Sequence, residues 1–278
     1  MITIVSAFFD IGRANWSAYS RSVDTYFKNF SRLCALENDV VLFTESRHRE
    51  RLEALQRSKP NLTVYYQDDL FERHAPMLAR IEQIQQSESF REGIQDPSCP
   101  EYNSPKYVLI NYLKSRFCVE AIERLQLSCP RVAWIDFGYL RKNRQLPVSL
   151  RWDYPFEDKI HLFSLKPYGA DVDIVHAIKH NTVFIQGCHI VASRQKWALM
   201  AELMEQAYHS LEQRDLIDDD QTLLLMASLS APEQFVVRPA LIEAKLDWFF
   251  IFRRYNRFEQ ELSLLDRLKF AVRKLGLP

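Results

Sequence analysis

Short apolar runs alternate with longer amphipathic stretches from the first residues onward. Residues 2–8, 39–43 and 62–66 are compact, largely apolar runs that read as strands, whereas 16–36 and 47–55 repeat their apolar positions at helical spacing. Strands alternating with helices favour βαβ units, in which parallel neighbours are joined by a helix packed back onto the sheet.

Residues 68–101 are polar and irregular except for a helical pattern around 77–84, and Gly93, Pro97 and Pro100 mark a loop. An active-site lid, an acceptor loop and a plain connection all suit it. Pro105 fits the first turn of a helix, where a missing N–H costs nothing. Val108, Leu109, Tyr112, Leu113, Phe117 and Ala121 carry that helix to about residue 125. Pro130 closes the connection to a strand at 131–135, so Asp136 leaves the carboxyl end of a buried strand, the edge at which open α/β sheets bind ligands. Further strands are expected at 159–165, 182–186 and 189–191, helices at 195–212 and from 219 to 226, and a helical tail from 243. The expected fold class is α/β, a predominantly parallel central sheet flanked by helices, in a single domain over 1–278.

Composition narrows the function. A chain of 278 residues can bury a substantial core. Its 36 basic residues balance 36 acidic ones, which removes any whole-molecule attraction to nucleic acid, and no nucleic-acid reader motif is present. The 18 Phe and 12 Tyr against 6 Gly point to a densely packed core with some aromatic surface for a base or a sugar ring. Five cysteines without close spacing suit a reduced, cytoplasmic protein. The opening apolar run lacks a basic segment before it and meets Asp10 and Arg13 at once, unlike a secretory signal, and no run is long enough to span a membrane.

Asp136 alone is compatible with capping a turn or helix. Its setting, WIDFG at 134–138, adds Gly138, which lets the backbone turn closely around a ligand. A carboxylate there offers a hard oxygen ligand to Mn2+ or Mg2+ bridging two phosphates, and such a cation stabilises a departing nucleoside diphosphate. Tyr107, Asn111 and Lys114 fall on nearby turns of one helix. Asp218, Asp219, Asp220 and Gln221 stand where acids favourably begin a helix. Gly187 interrupts two apolar runs beside Cys188 and His189, while His161 lies in an apolar strand and is left outside the site. In the tail, Trp248, Phe249, Phe250, Ile251 and Phe252 precede Arg253, Arg254, Arg257, Arg267, Lys269, Arg273 and Lys274. Two readings fit: a basic amphipathic helix on an anionic membrane or lipid-linked acceptor, and a helix packed on the domain.

Five blocks in consistent order, ITIVSAFFDIGR at 2–13, YNSPKYVLINYLKSRFCVEAI at 102–122, AWIDFGY at 133–139, FIQGCHIVA at 184–192 and DDDQTLL at 218–224, resemble the bacterial HtrL/YibB proteins, also described as the WlaTC/HtrL glycosyltransferase family. The resemblance implies a GT-A-like nucleotide-diphospho-sugar transferase fold. Residues 1–140 would be mainly the nucleotide-donor half, 141–242 mainly the acceptor and catalytic half, and 243–278 a C-terminal helical, basic-aromatic extension. It implies transfer of a sugar from a nucleoside-diphosphate donor to a hydroxyl acceptor, a glycan or a lipid-linked one, in bacterial surface-glycan or lipopolysaccharide biosynthesis.

Such enzymes usually employ manganese or magnesium on an Asp-x-Asp motif, but Asp136-Phe137-Gly138 lacks the second acid. The remaining ligands then fall to water, donor phosphates or a distant side chain, for which His189 is the candidate beside Asp136. By the same resemblance Ser6, Ala7 and Phe8 approach the nucleotide, Arg13 and Lys114 the diphosphate, and Asn111 a hydroxyl, while Gly187 admits the sugar close to backbone. Asp220, ahead of Asp219, takes the acceptor proton as general base, and Gln221 reads sugar hydroxyls. Water in place of the acceptor would make the protein a nucleotide-sugar hydrolase, and loss of productive metal chemistry a glycan-binding or assembly protein. The implied location is the cytoplasm, peripheral to the inner membrane, with no specific protein partner expected.

Overall fold

Every residue of Ile2–Phe8 (β1) is buried, as is every residue of Val40–Thr44 (β2), which explains why both read as continuous apolar runs: each faces a covering layer on both sides. The computed structural model describes residues 1–242, 245, 246 and 248–260. Between these strands lies helix α1, Val23–Leu33, and after them α2, Arg49–Ser58, and strand β3, Leu62–Tyr66. Helix α3, Ala75–Gln86, leads to α4, Pro105–Tyr112, and α5, Lys114–Leu125, which feeds β4, Arg131–Ile135. Then follow β5, Ile160–Ser164, α6, Ile174–Lys179, β6, His189–Ser193, α7, Lys196–Glu212, α8, Asp220–Ser230, and β7, Phe235–Pro239.

The seven strands form one sheet in the order β3-β2-β1-β4-β6-β5-β7. Strands β3, β2, β1 and β4 run parallel, but β6 lies antiparallel to both β4 and β5, and β5 is parallel to β7. The sheet is therefore mixed, though mostly parallel, and the β4–β6 pairing joins strands from 1–140 to strands from 141–242. Alternation along each strand splits the core. Val5, Ala7, Val132 and Trp134 face a layer with α4, α5, α7 and α8, while Ile4, Phe8, Ala133 and Ile135 face one with α1 and the aromatic segment at 250–255.

Several expectations shift. The helix expected over 16–36 begins only at Val23, where the Ser22 hydroxyl accepts the Thr25 N–H; upstream, Gly12 and Tyr19 at positive φ keep the chain irregular. The helix expected over 105–125 breaks at Leu113. No strand forms at 182–186, which contributes a single bridge between Ile185 and Ser164. β7 is not expected from the sequence: Phe235 is buried but Val237 and Pro239 are exposed, and its last two residues are Arg238 and Pro239. In the tail, Phe250, Ile251 and Phe252 are buried in the second layer, so this part follows the packed reading. Arg267, Lys269, Arg273 and Lys274 lie outside the described residues. Among the described residues no helix is long and apolar enough to cross a membrane.

Candidate active site

The chain leaves β4 at Asp136 under two backbone restraints, the Asp136 N–H donating to the Cys188 carbonyl and the Tyr139 N–H to the Asp136 carbonyl, both at 2.9 Å. The Asp136 carboxylate accepts the Trp134 indole N–H at 2.8 Å through Oδ1, and the same oxygen lies 3.1 Å from Lys114 Nζ. Lys114 opens α5 and is buried; its ammonium also donates to Asp220 Oδ2 at 2.8 Å and to the Gly187 carbonyl at 3.0 Å. Three donor hydrogens thus meet three acceptors. Burial alone pushes Lys114 towards its neutral form, but Asp136 and Asp220 outweigh it and raise its pKa, so the lysine is charged.

Gly187 has a packing reason. A Cβ there would stand 1.9 Å from Asp220 Oδ2, so the Asp220 carboxylate occupies the space that the sequence reading reserved for a sugar. Asp219 caps α8, its Oδ1 accepting the Gln221 N–H at 2.9 Å, and its other oxygen accepts the Tyr107 hydroxyl at 3.4 Å. Burial, joined by Glu101, pushes Asp219 up to about 7; burial also pushes Asp220 up to about 7, against the pull of Lys114. Burial, aided by Asp219, raises Asp218 too, and that carboxylate accepts the Thr222 hydroxyl.

These shifts carry a pH prediction. A carboxyl whose pKa is higher folded than unfolded binds protons preferentially in the native state. Its contribution therefore favours the fold at low pH and is lost as pH rises from its ordinary value near 3.8 through about 7. Asp219→Asn keeps an acceptor for the cap and removes the ionisation. Its thermal midpoint is expected to exceed that of the wild type at pH 8, with the gap closing towards pH 5. A gap independent of pH would show that Asp219 does not titrate in this way.

Of the expected site residues, Ala7, Phe8, Arg13, Asn111, Lys114, Asp136 and Gly138 come together on the wall of one cleft of about 160 Å3. Ser6, Gly187, His189, Asp219, Asp220 and Gln221 are not on that wall. Ser6 is buried inside β1 with its hydroxyl unpartnered, and Gln221 sits in the first turn of α8. His189 is fully buried, its ring 4.4 Å from that of Phe163 and edge-on to Tyr139 and Phe250. Burial, then the Lys114 charge, lowers its pKa to about 3, so the ring is neutral; its Nδ1 lies 3.3 Å from Cys188 Sγ, behind the cleft wall on which Cys188 and Asp136 stand.

The sequence reading missed Tyr26, Arg21 and Arg141, which share the cleft wall. Arg13 Nη1 donates to the Tyr26 hydroxyl at 3.0 Å, and the Arg21 guanidinium stands 5.1 Å above the Tyr26 ring. Arg141 lies 4.5 Å from the centre of Phe249. Gly138 leaves room for this arrangement, because a Cβ there would sit 3.1 Å from the Tyr26 ring and 3.5 Å from Arg21 Nη1. A signal existed for Arg141, three residues past Gly138 in the loop that follows β4. None existed for Arg21, in a stretch whose apolar spacing reads as helix.

Among the described residues, the carboxylates on the cleft wall are Asp10 and Asp136. Asp10 accepts the Gly12 N–H at 2.9 Å and faces Arg47 at 3.9 Å. Among the described residues no three His, Cys, Asp or Glu side chains converge to hold a metal. The described side chains by themselves thus fall short of a divalent-cation site, and an ion at Asp136 would take most of its oxygen ligands from phosphates and water.

A larger cavity of about 810 Å3 adjoins the cleft, lined by Trp16, Leu78, Glu82, Ser98, Asn103 and Lys106 among others. Arg13 stands 5.4 Å over the Trp16 ring and 5.9 Å over that of Tyr107, so these three side chains partition cavity from cleft. The irregular stretch expected as lid, acceptor loop or connection supplies much of the cavity's lining.

The family described as "Bacterial protein of unknown function (HtrL_YibB)" matches residues 1–257. The chain belongs to the bacterial HtrL/YibB family. Protein HtrL of Escherichia coli (strain K12) is 35% identical over 267 residues, covering 91% of this chain and 92% of that protein. Among solved structures, mouse xyloside xylosyltransferase 1 in its apo form aligns over 92% of this chain and 93% of its own, with 12% identity and a TM-score of 0.40. So slight a likeness supports no conclusion. The HtrL/YibB match takes in Lys114, Asp136 and Asp220 and all three cleft arginines.

Proposed function

We propose that this HtrL/YibB protein is a glycosyltransferase, moving a sugar from a nucleoside-diphosphate donor to a hydroxyl acceptor in bacterial surface-glycan or lipopolysaccharide assembly, on a GT-A-like framework. The observation that carries this reading is the charged Lys114, buried between Asp136 and Asp220 at the carboxyl edge of β4 and opening on a cleft. Sugar transfer leaves a nucleoside diphosphate whose negative charge grows as the anomeric bond breaks. A fixed ammonium in a site with little water stabilises that growth without reorganising.

In this reading Asp136 and Asp220 hold the ammonium in place from opposite sides. Asp220 acts through Lys114: it lies off the cleft wall and is 1% exposed, so in this reading it holds the ammonium and does not itself meet the acceptor. A cleft of about 160 Å3 is smaller than the roughly 300–1,000 Å3 of sites that enclose whole ligands, so a donor would place its diphosphate and sugar there and extend beyond the mouth. The 810 Å3 cavity behind Trp16 has the size for a glycan acceptor. The same reading has the protein working in the cytoplasm at the inner membrane, where lipid-linked acceptors are held.

The test is nucleoside diphosphate release from a panel of nucleotide sugars, with and without oligosaccharide or lipid-linked acceptors. Release that requires an acceptor is expected. Release without one would replace transferase by hydrolase, and binding without turnover would leave a binding protein. Asp136→Asn keeps an acceptor for the Trp134 indole but removes the charge opposite Lys114, and a loss of about 100-fold in kcat/KM is expected, roughly 2.7 kcal/mol of transition-state stabilisation. Wild-type turnover in that variant would move the reaction away from this cleft.

A further inference from the structure

Resting on the donor reading above, we propose that the donor diphosphate is gripped by Arg13, Arg21 and Arg141 together with Lys114, and that this cationic cluster takes the place of a divalent cation. Among the described residues, four cationic side chains line the cleft against two carboxylates. Lys114 is matched by Asp136 and the buried Asp220, and Asp10 is held by the Gly12 N–H beside Arg47. Among the described residues, no carboxylate lies at ion-pair distance from Arg13, Arg21 or Arg141. The guanidiniums feel one another: after burial, Arg21 and Arg13 both help to lower the Arg141 pKa.

Like charges gathered without a counter-charge among the described residues fit a site completed by an anion. The anion is multivalent, because three guanidiniums face it. A nucleoside diphosphate fits by charge, since its ester carries about two negative charges and the departing diphosphate about three, with the electron pair of the broken bond on the β-phosphate oxygen. Arginine's planar fork matches phosphate oxygens two at a time, which adds orientation to charge. The fork is also pre-positioned: Tyr26 is held between Arg13 at its hydroxyl and Arg21 on its ring, and Gly138 is the residue without a side chain that permits it. A dication on Asp136, by contrast, would stand against the Lys114 charge, 3.1 Å from the same oxygen.

The experiment is calorimetric titration of the full chain with UDP, GDP, CDP and ADP, in EDTA and again with Mn2+ or Mg2+. At least one is expected to bind in EDTA with affinity within about threefold of that with metal, and to weaken about tenfold or more in Arg21→Gln and in Arg141→Gln. Affinity is also expected to fall with added salt. The thermal midpoint of the Arg141→Gln variant, expected at the wild-type value because Arg141 has no ion-pair partner among the described residues, separates lost binding from lost folding. Binding abolished by EDTA and restored by Mn2+ would overturn the cluster and leave the donor reading standing. Metal-free binding untouched by either substitution would overturn it as well. Failure of every nucleoside diphosphate to bind under both conditions would instead remove the donor reading on which it rests.

Discussion

Lys114→Met is expected to abolish turnover and to lower stability by about 3–5 kcal/mol, the cost of leaving one member of a buried ion pair without its partner. Asp220 is 1% exposed, and with the ammonium gone it must either carry an uncompensated charge or take up a proton. At two to four degrees per kcal/mol for a domain of this size, the thermal midpoint should fall by about ten degrees. A second change separates structure from chemistry. Adding Asp220→Asn removes the stranded charge, so the double variant should recover much of the midpoint while turnover stays absent. If Lys114→Met alone kept wild-type turnover, the cleft would not be where the leaving group is stabilised. If the double variant were no more stable than the single one, Asp220 would not be the group that Lys114 neutralises.

Gly187→Ala should be nearly as damaging although it adds one methyl group. The new Cβ would lie 1.9 Å from Asp220 Oδ2, 2.4 Å from Cγ and 2.5 Å from Oδ1, so the whole carboxylate must move. Asp220 has little freedom to do so, being a short side chain at the start of α8 that is tied to Lys114. Overpacking of this kind costs about 1–3 kcal/mol or more. A displacement of about 1 Å passed on to Lys114 is enough to cost roughly 100-fold in rate. Asp220→Ala deletes the clashing oxygens, so adding Gly187→Ala to it should lower the midpoint no further, with turnover still absent. A single variant with wild-type midpoint and turnover would show that the close approach of Asp220 to Gly187 is not required.

Strands β1, β2 and β4 and helices α3 and α7 were legible in the sequence, because burial writes a period into the chain: continuous apolar runs where both faces of a strand are covered, and three-to-four spacing where one face of a helix is. The same logic put Asp136 at the carboxyl end of a buried strand and acids at the start of α8, where Asp219 does cap the helix. Local rules failed where the outcome depended on distant partners. Residues 182–186 are apolar enough for a strand, yet they cover one with a single bridge, and the half-exposed 235–239 pairs with β5 instead.

The candidate site belongs almost wholly to that second category. Lys114 and Asp220 are 106 positions apart, and nothing in the spacing of either announces the other. Gly187 looked like room for a sugar and proved to be room for Asp220. His189, a polar residue beside a glycine, became a neutral ring walled in by aromatics. Arg21 and Arg141, absent from the sequence expectation, share the cleft wall with Arg13 only in the folded chain. The sequence by itself determined which residues are buried and where a carboxylate leaves the sheet, since hydrophobic periodicity is a local record of burial. Which charges meet, and which are left without a counter-charge, was decided only by tertiary structure, since electrostatic partners are set by distance in space.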